Sequence, residues 1–229
     1  LMIDGIKSVQ RESITLVLTY YPYGRQHRPT HDSTGSSAQF VSRLLQTAGI
    51  DQLMTVDMHQ PNILKDAGFK VRELTSASLF AEQIQTRTIL PLIVAPDQGA
   101  AHRARSLAKH LNTDWSALNK IRYENESVTI NSIKNVFENR DCVLVDDIID
   151  SGKTLCLAAE HLHKKGARQI DAFVTHGVFG QDSLKRLSES TIESLTITNS
   201  LSLSLDVLNH SKIKCLSLAS CLKNELTEF

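Results

Sequence analysis

Asp146, Asp147 and Asp150 stand beside Ser151, Gly152, Lys153 and Thr154 in the stretch VLVDDIIDSGKT, residues 143–154. Carboxylates next to a loop of small polar residues call for a ligand of two characters. Backbone N–H groups at the start of a helix, aided by the helix dipole, favour a phosphate. The flanking carboxylates can accept hydrogen bonds from sugar hydroxyls or assist a magnesium ion. A sugar phosphate is an anion at one end and a polyol at the other, so it satisfies both. The SGKT ending also invites a nucleotide-binding P-loop, but that pattern needs glycine at position 147, where Asp147 stands. Acids beside a triphosphate chain would repel it.

Other polar residues follow apolar runs in the same way. Asp57 and His59 follow LMTV, Asp97 follows LIVAP, and Lys120 and Arg122 follow WSALN. In open α/β sheets ligands bind outside the carboxyl ends of the strands, which is where these residues fall. Each alone has a plainer reading: an acid after a strand often caps the next helix, a single histidine is usually structural, and a lysine after a short strand is commonly solvated. Their joint placement favours a site.

The elements that must position them alternate strand and helix. Residues 14–21 (ITLVLTYY) form a continuous apolar run, as in a buried parallel strand. Val41, Leu44, Leu45 and Ala48 then repeat at helical spacing, with Gly49 as the expected C-cap. Strands are predicted at 53–56, 92–96, 142–145 and 170–176. Helices are predicted with Ala104, Leu107, Ala108 and Leu111 on one face, and with Leu155, Ala158, Ala159 and Leu162 on another, ending near Gly166. These are βαβ units and predict an α/β fold with parallel sheets flanked by helices. The pattern loosens over 66–78, a candidate domain junction. Residues 185–205, rich in Ser, Thr and Leu, are expected to hold one short strand and a loop.

Composition narrows the class. The 229 residues carry 25 Lys plus Arg and 25 Asp plus Glu, and 41% are hydrophobic. A neutral chain argues against a nucleic-acid partner, since phosphate backbones recruit basic surfaces. No apolar run approaches the ~20 residues of a membrane span, so no membrane partner is expected. The four cysteines, at 142, 156, 215 and 221, form no CxxC pair and read as reduced thiols of a cytoplasmic protein.

Four hydrophobic residues, two acids, two more hydrophobic residues and then D-[ST]-G-x-T resemble the ribose-phosphate loop of the type I phosphoribosyltransferase fold. YYPYGRQHR (20–28), LLQTAGIDQLMTVDMH (44–59), IVAPDQGAAHRA (93–104), NKIR (119–122), VTHGVF (174–179) and TNSL (198–201) resemble, in order, segments of the ribose-phosphate pyrophosphokinase (PRPP synthetase) family. The resemblance implies two phosphoribosyltransferase-type domains: residues 1–75, incomplete at the start, and 76–215, which carries the ribose 5-phosphate loop. The final helix, 216–229, is a candidate to pack back on the first.

The resemblance also implies an activity, transfer of the diphosphoryl group of ATP to the C1 hydroxyl of ribose 5-phosphate with Mg2+, in a homo-oligomer. Arg25, Gln26 and Arg28 would then face ATP. His59 and Asp97 would serve the metal, and Lys120 and Arg122 would be catalytic on a loop. Asp146, Asp147 and Asp150 through Thr154 would hold ribose 5-phosphate.

Some positions depart from the family pattern. His27 stands where the family has an acid, Lys153 where a small residue is common, and 29–36 and 62–65 are altered. LMIDGIK at the start reads as helix interior, so upstream strands carrying an adenine-contacting F-x-[DN]-x-E segment are expected to be missing. The chain as given is therefore expected to make little PRPP. Two alternatives stand beside the synthetase reading: a non-catalytic regulatory paralogue of PRPP synthetase, and a phosphoribosyltransferase that consumes PRPP.

Overall fold

The computed structural model describes residues 1–9, 12–26, 36–86, 90–118 and 136–226. The chain divides into two compact units, Leu1–Thr75 and Ser76–Phe229.

The first unit contains α1 (Met2–Val9), β1 (Thr15–Leu18), α2 (Ser37–Ala48), β2 (Gln52–Val56), a 3-10 turn at Pro61–Leu64, and β3 (Lys70–Leu74). Its three strands are parallel in the order β1-β2-β3. The Ser36 hydroxyl accepts from Gln39 N–H to start α2, and Gly49, at φ 87°, ends it, as its place after the periodic run predicts. β1 is shorter than the apolar run 14–21 because pairing with β2 stops at Leu18. The chain then turns, so that Tyr21 buries its ring and donates from its hydroxyl to Ala38 O at 2.9 Å. Burial pushes that phenol up to about 12. β3 lies in the stretch whose pattern looked loose. Only Leu74 is buried in it, so a strand exposed along most of its length leaves little apolar signal.

The second unit contains α3 (Ala77–Gln85), β4 (Leu92–Ala95), α4 (Ala101–Leu111), β5 (Trp115–Ala117), β6 (Asp141–Ile149), α5 (Lys153–Lys164), β7 (Gln169–Gly177), α6 (Ser183–Glu189), β8 (Ser194–Thr198), α7 (Leu205–Leu208), β9 (Ile213–Leu216) and α8 (Ala219–Leu226). All six strands are parallel, ordered β5-β4-β6-β7-β8-β9. The pleat sends alternate residues to opposite faces. On one face Cys142, Leu144, Ala172 and Val174 pack with Leu155, Ala158, Ala159 and Leu162 of α5. On the other Val143, Val145 and Phe173 pack with Phe80 and Ile84 of α3 and with Ala104, Leu107, Ala108 and Leu111 of α4. The Phe80 and Phe173 rings meet edge-on at 5.3 Å.

Residues 185–205 hold most of a helix, α6, besides the short strand β8. Short helices with Ser at several positions give a weak periodic signal. The terminal helix α8 groups with the second unit; Leu218 N–H, just before it, donates to Asn199 Oδ1 at 2.8 Å.

Candidate active site

β6 runs further than its apolar core suggests. Its pairing with β7 continues through Asp146↔Val174 to Ile149↔Gly177, so Asp146 and Asp147 lie inside the strand rather than in the loop after it. Cross-strand pairing outweighs the poor strand propensity of aspartate. Asp147 continues the row of Val143 and Val145, which faces α4. There Arg103 brings Nη2 to 3.4 Å from Asp147 Oδ2, with both side chains nearly buried, at 9% and 4% exposure. A guanidinium is the cation best suited to a buried carboxylate.

Asp146 Oδ1 accepts the Asp147 N–H at 2.9 Å. Its carboxyl is pushed well above the usual range, chiefly by burial and then by the negative charge of Asp147, while Arg103 works in the opposite direction. The two adjacent carboxyls repel each other, and Asp147 is paired with the Arg103 guanidinium. Ligand hydroxyls or a divalent cation would satisfy them. Perturbed carboxyls of this kind mark functional sites.

Beyond Ile149 the chain makes the turn Asp150-Ser151-Gly152. Gly152 adopts φ 72°, ψ −2°, a left-handed conformation natural to glycine. This turn releases the chain into α5, whose first residue is Lys153. Lys153 N–H leans on Ser151 Oγ at 3.4 Å. The first N–H groups of α5 have no intrahelical partner by construction, and the twelve-residue helix adds its dipole. The next loop supports this one: Gly180 N–H donates to Asp150 O at 3.1 Å. A Cβ on Gly180 would lie 2.5 Å from Asp150 Oδ1, so the Asp150 carboxylate lies directly over a residue with no side chain.

Asp97, after β4, uses Oδ1 to accept Ala100 N–H at 3.2 Å. The bond braces the turn before α4, whose N-cap is Ala100 and has no side-chain cap, so Asp97 is not the cap of that helix.

In the first unit the loop after β1 borders an open cavity of about 630 Å³ lined by Tyr20, Pro22, Tyr23, Arg25 and Gln26. Tyr23 is in the left-handed region at φ 58° and 54% exposed. A Cβ on Gly24 would lie 3.7 Å from His59 Cβ, so the Arg25-Gln26 segment and the histidine after β2 share one corner of this unit. His59 and Asp97 belong to different units. Arg28, Lys120 and Arg122 lie outside the described residues.

Within the second unit the structure brings Asp146, Asp147, Asp150, Ser151, Gly152, Lys153 and Thr154 into one strand end, turn and helix start. The sequence reading missed Arg103 and Gly180. Arg103 carried a signal, a charge at helical spacing from the apolar face of Ala100, Ala104 and Leu107. Gly180 carried none, because its meaning comes from a side chain 30 positions earlier.

The chain resembles known proteins along nearly its whole length. Residues 1–49 match the N-terminal domain of ribose phosphate pyrophosphokinase, and residues 124–227 match the phosphoribosyl synthetase-associated domain. It is 36% identical over 225 residues to a ribose-phosphate pyrophosphokinase of Agrobacterium fabrum, covering 97% of this chain and 72% of the relative. With the enzyme of that name from Vibrio cholerae the identity is 35%, over 96% and 71%. The crystal structure of phosphoribosylpyrophosphate synthetase from Mycobacterium smegmatis superposes with a TM-score of 0.87 at 29% identity, over 99% of this chain and 74% of that one. Agreement in sequence and in fold has one explanation: the chain belongs to the ribose-phosphate pyrophosphokinase family, whose members are diphosphotransferases.

Proposed function

We propose that the chain is a ribose-phosphate diphosphokinase. In this reaction the C1 oxygen of ribose 5-phosphate attacks the β-phosphorus of ATP. The bond from that phosphorus to the oxygen bridging the α-phosphate breaks, and AMP leaves with that oxygen. The hydroxyl proton passes to solvent, and the sugar becomes 5-phosphoribosyl 1-diphosphate. The observation that carries this reading is the β6–α5 connection, where two adjacent carboxyls, that of Asp146 pushed up chiefly by burial, and a helix N-terminus lie between residues 146 and 153.

In this reading the 5-phosphate meets the N–H groups of Gly152, Lys153 and Thr154 and the Ser151 hydroxyl, and Lys153 adds a cation. Asp146, Asp147 and Asp150 accept hydrogen bonds from the ribose hydroxyls. Arg25 and Gln26 bind ATP at the rim of the first unit's cavity, and Arg28 is assigned to ATP by the family resemblance alone. Lys120 and Arg122 neutralise charge on the diphosphoryl group as it transfers, the main requirement of phosphoryl chemistry.

Magnesium fits the donors present. It takes oxygen ligands, commonly one or two carboxylates together with substrate phosphates. Asp97 offers a carboxylate on the second unit and His59 an imidazole on the first, the two residues that the resemblance assigns to the metal. Among the described residues no group of three or more His, Cys, Asp or Glu side chains could hold a metal ion by itself, so substrate phosphates would have to supply ligands. When bound, the ion supplies charge neutralisation for the phosphates.

The test is a coupled assay of AMP release from ATP and ribose 5-phosphate, alongside calorimetric titration of each substrate. AMP release that depends on both substrates, at the low rate expected of this chain, is the expected result. Ribose 5-phosphate binding without AMP release would assign the chain to the regulatory, non-catalytic alternative, which His27 and Lys153 favour as departures from the family pattern. Absence of ribose 5-phosphate binding would overturn the site. The same reading places the protein in the cytoplasm as a homo-oligomer, which light scattering checks. No helix among the described residues is long and apolar enough to cross a membrane.

A further inference from the structure

We propose that Arg186, on α6, is a positioning residue for the phosphate end of the ribose 5-phosphate loop, an inference that rests on the site reading above. The half-buried Arg186 side chain reaches across from α6, and its Nη1 donates to the backbone carbonyl of Ser151. That carbonyl belongs to the peptide linking Ser151 to Gly152. A trans peptide is planar, so its C=O and N–H point in opposite directions. Drawing the Ser151 carbonyl toward α6 therefore turns the Gly152 N–H away from α6. Gly152 is the N-cap of α5, where an N–H directed outward is available to a phosphate.

Two further ties make α6 and the loop before it a fixed wall for this turn. The Cys156 thiol, in the first turn of α5, lies 3.8 Å from the Arg186 backbone carbonyl and donates to it. One residue before the Ser151 contact, the Asp150 carbonyl accepts the Gly180 N–H at 3.1 Å. Consecutive carbonyls of the turn are thus both held from the β7–α6 side. Gly152, in its left-handed conformation, gives the turn a flexible point that would otherwise let the peptide plane rotate. Arg186 acts through the peptide it holds rather than by touching the reacting atoms.

The experiment titrates ribose 5-phosphate and ATP separately into the wild type, Arg186→Met, which keeps the apolar stem, and Arg186→Lys, which keeps a shorter cationic donor. Thermal midpoints are recorded for all three. Losing one aligned hydrogen bond to a charged phosphate corresponds to roughly 10- to 150-fold in affinity. Arg186→Met should weaken ribose 5-phosphate by that factor, with ATP within twofold. Arg186→Lys should recover to within about tenfold of the wild type, since a charged donor is restored.

If wild type binds but Arg186→Met binds ribose 5-phosphate within twofold of it, this inference fails while the site reading stands. Equal weakening of both substrates, or a Lys variant no better than Met, shows a general structural role and overturns it. Failure of the wild type to bind ribose 5-phosphate overturns the site reading and this inference with it. Should Arg186→Met not fold, Arg186→Gln, which keeps the stem and loses the charge, is read in its place: selective weakening of ribose 5-phosphate supports the proposal, and binding within twofold of the wild type, or equal weakening of both substrates, overturns it.

Discussion

Replacing Arg103 by methionine tests the electrostatic basis of the site. The substitution keeps apolar volume on α4 and removes the positive charge 3.4 Å from Asp147. Breaking a buried pair by deleting one partner typically costs about 3–5 kcal/mol. An independent bound comes from protonation, because the carboxyl can take up a proton instead of remaining a buried charge. From an ordinary value near 3.9 to pH 7.5, at about 1.36 kcal/mol per pH unit, that escape costs about 5 kcal/mol, and at pH 5.5 about 2 kcal/mol. The two figures agree at neutral pH. For a domain of this size each kcal/mol moves the midpoint by about 2–4 °C, so Arg103→Met should melt about 6–20 °C lower at pH 7.5.

The pH sign follows. In the variant the folded-state carboxyl holds its proton more tightly than the unfolded one. Its stability deficit therefore grows as pH rises above the usual carboxylate range and shrinks toward pH 5.5. Thermal melts by circular dichroism without ligand, at both pH values, measure this. A second arm, Arg103→Met with Asp147→Leu, should recover most of the loss, because apolar replacement of a whole buried pair is often neutral. A midpoint shift below about 2 °C at pH 7.5, or a deficit independent of pH, would refute the reasoning.

Asp150→Ala should weaken ribose 5-phosphate by roughly 10- to 150-fold, the loss of a charged hydrogen-bond partner, with ATP binding nearly unchanged; calorimetry showing equal weakening of both would remove Asp150 from the sugar site. Gly180→Ala places a Cβ 2.5 Å from Asp150 Oδ1 and should displace that carboxylate, weakening ribose 5-phosphate while the far-ultraviolet spectrum stays native. Asp146→Asn should stabilise the unliganded protein: burial and then Asp147 hold the carboxyl above its usual range, so ionisation destabilises the fold as pH rises through that raised window. The gain in melting midpoint, on the ~1 kcal/mol scale common for single substitutions, should be present at pH 7.5 and vanish below about pH 4, where both folded and unfolded carboxyls are protonated. Lys120→Ala should lower the maximal rate roughly 100- to 1000-fold with little change in substrate binding, as for other preorganised electrostatic donors; an unchanged rate in steady-state kinetics would return Lys120 to the solvated surface.

Local pattern carried much of this protein. Val143, Leu144 and Val145 are buried and form a strand because a parallel strand covered on both faces must be apolar throughout. Gly49 and Gly152 adopt positive φ, in keeping with their places at the end of one helix and the start of another. Such features depend on neighbours within a turn or two of chain, so residue order alone expresses them. The same locality made Asp146, Asp147, Asp150 and the SGKT turn legible as one candidate site.

What the sequence could not express depends on pairings between distant residues. β6 extends through both aspartates because β7 offers nine residues of matching edge, and no property of Asp146 or Asp147 announces that. β3 is a strand because β2 pairs with it, although only Leu74 of its five residues is buried. Arg103 matters because α4 crosses the sheet face on which Asp147 emerges. Gly180 and Arg186 matter because the β7–α6 connection closes over the turn at Asp150 and Ser151. Charge pairing, desolvation and hydrogen-bond direction fall off within a few ångströms, and only the folded chain brings those groups that close.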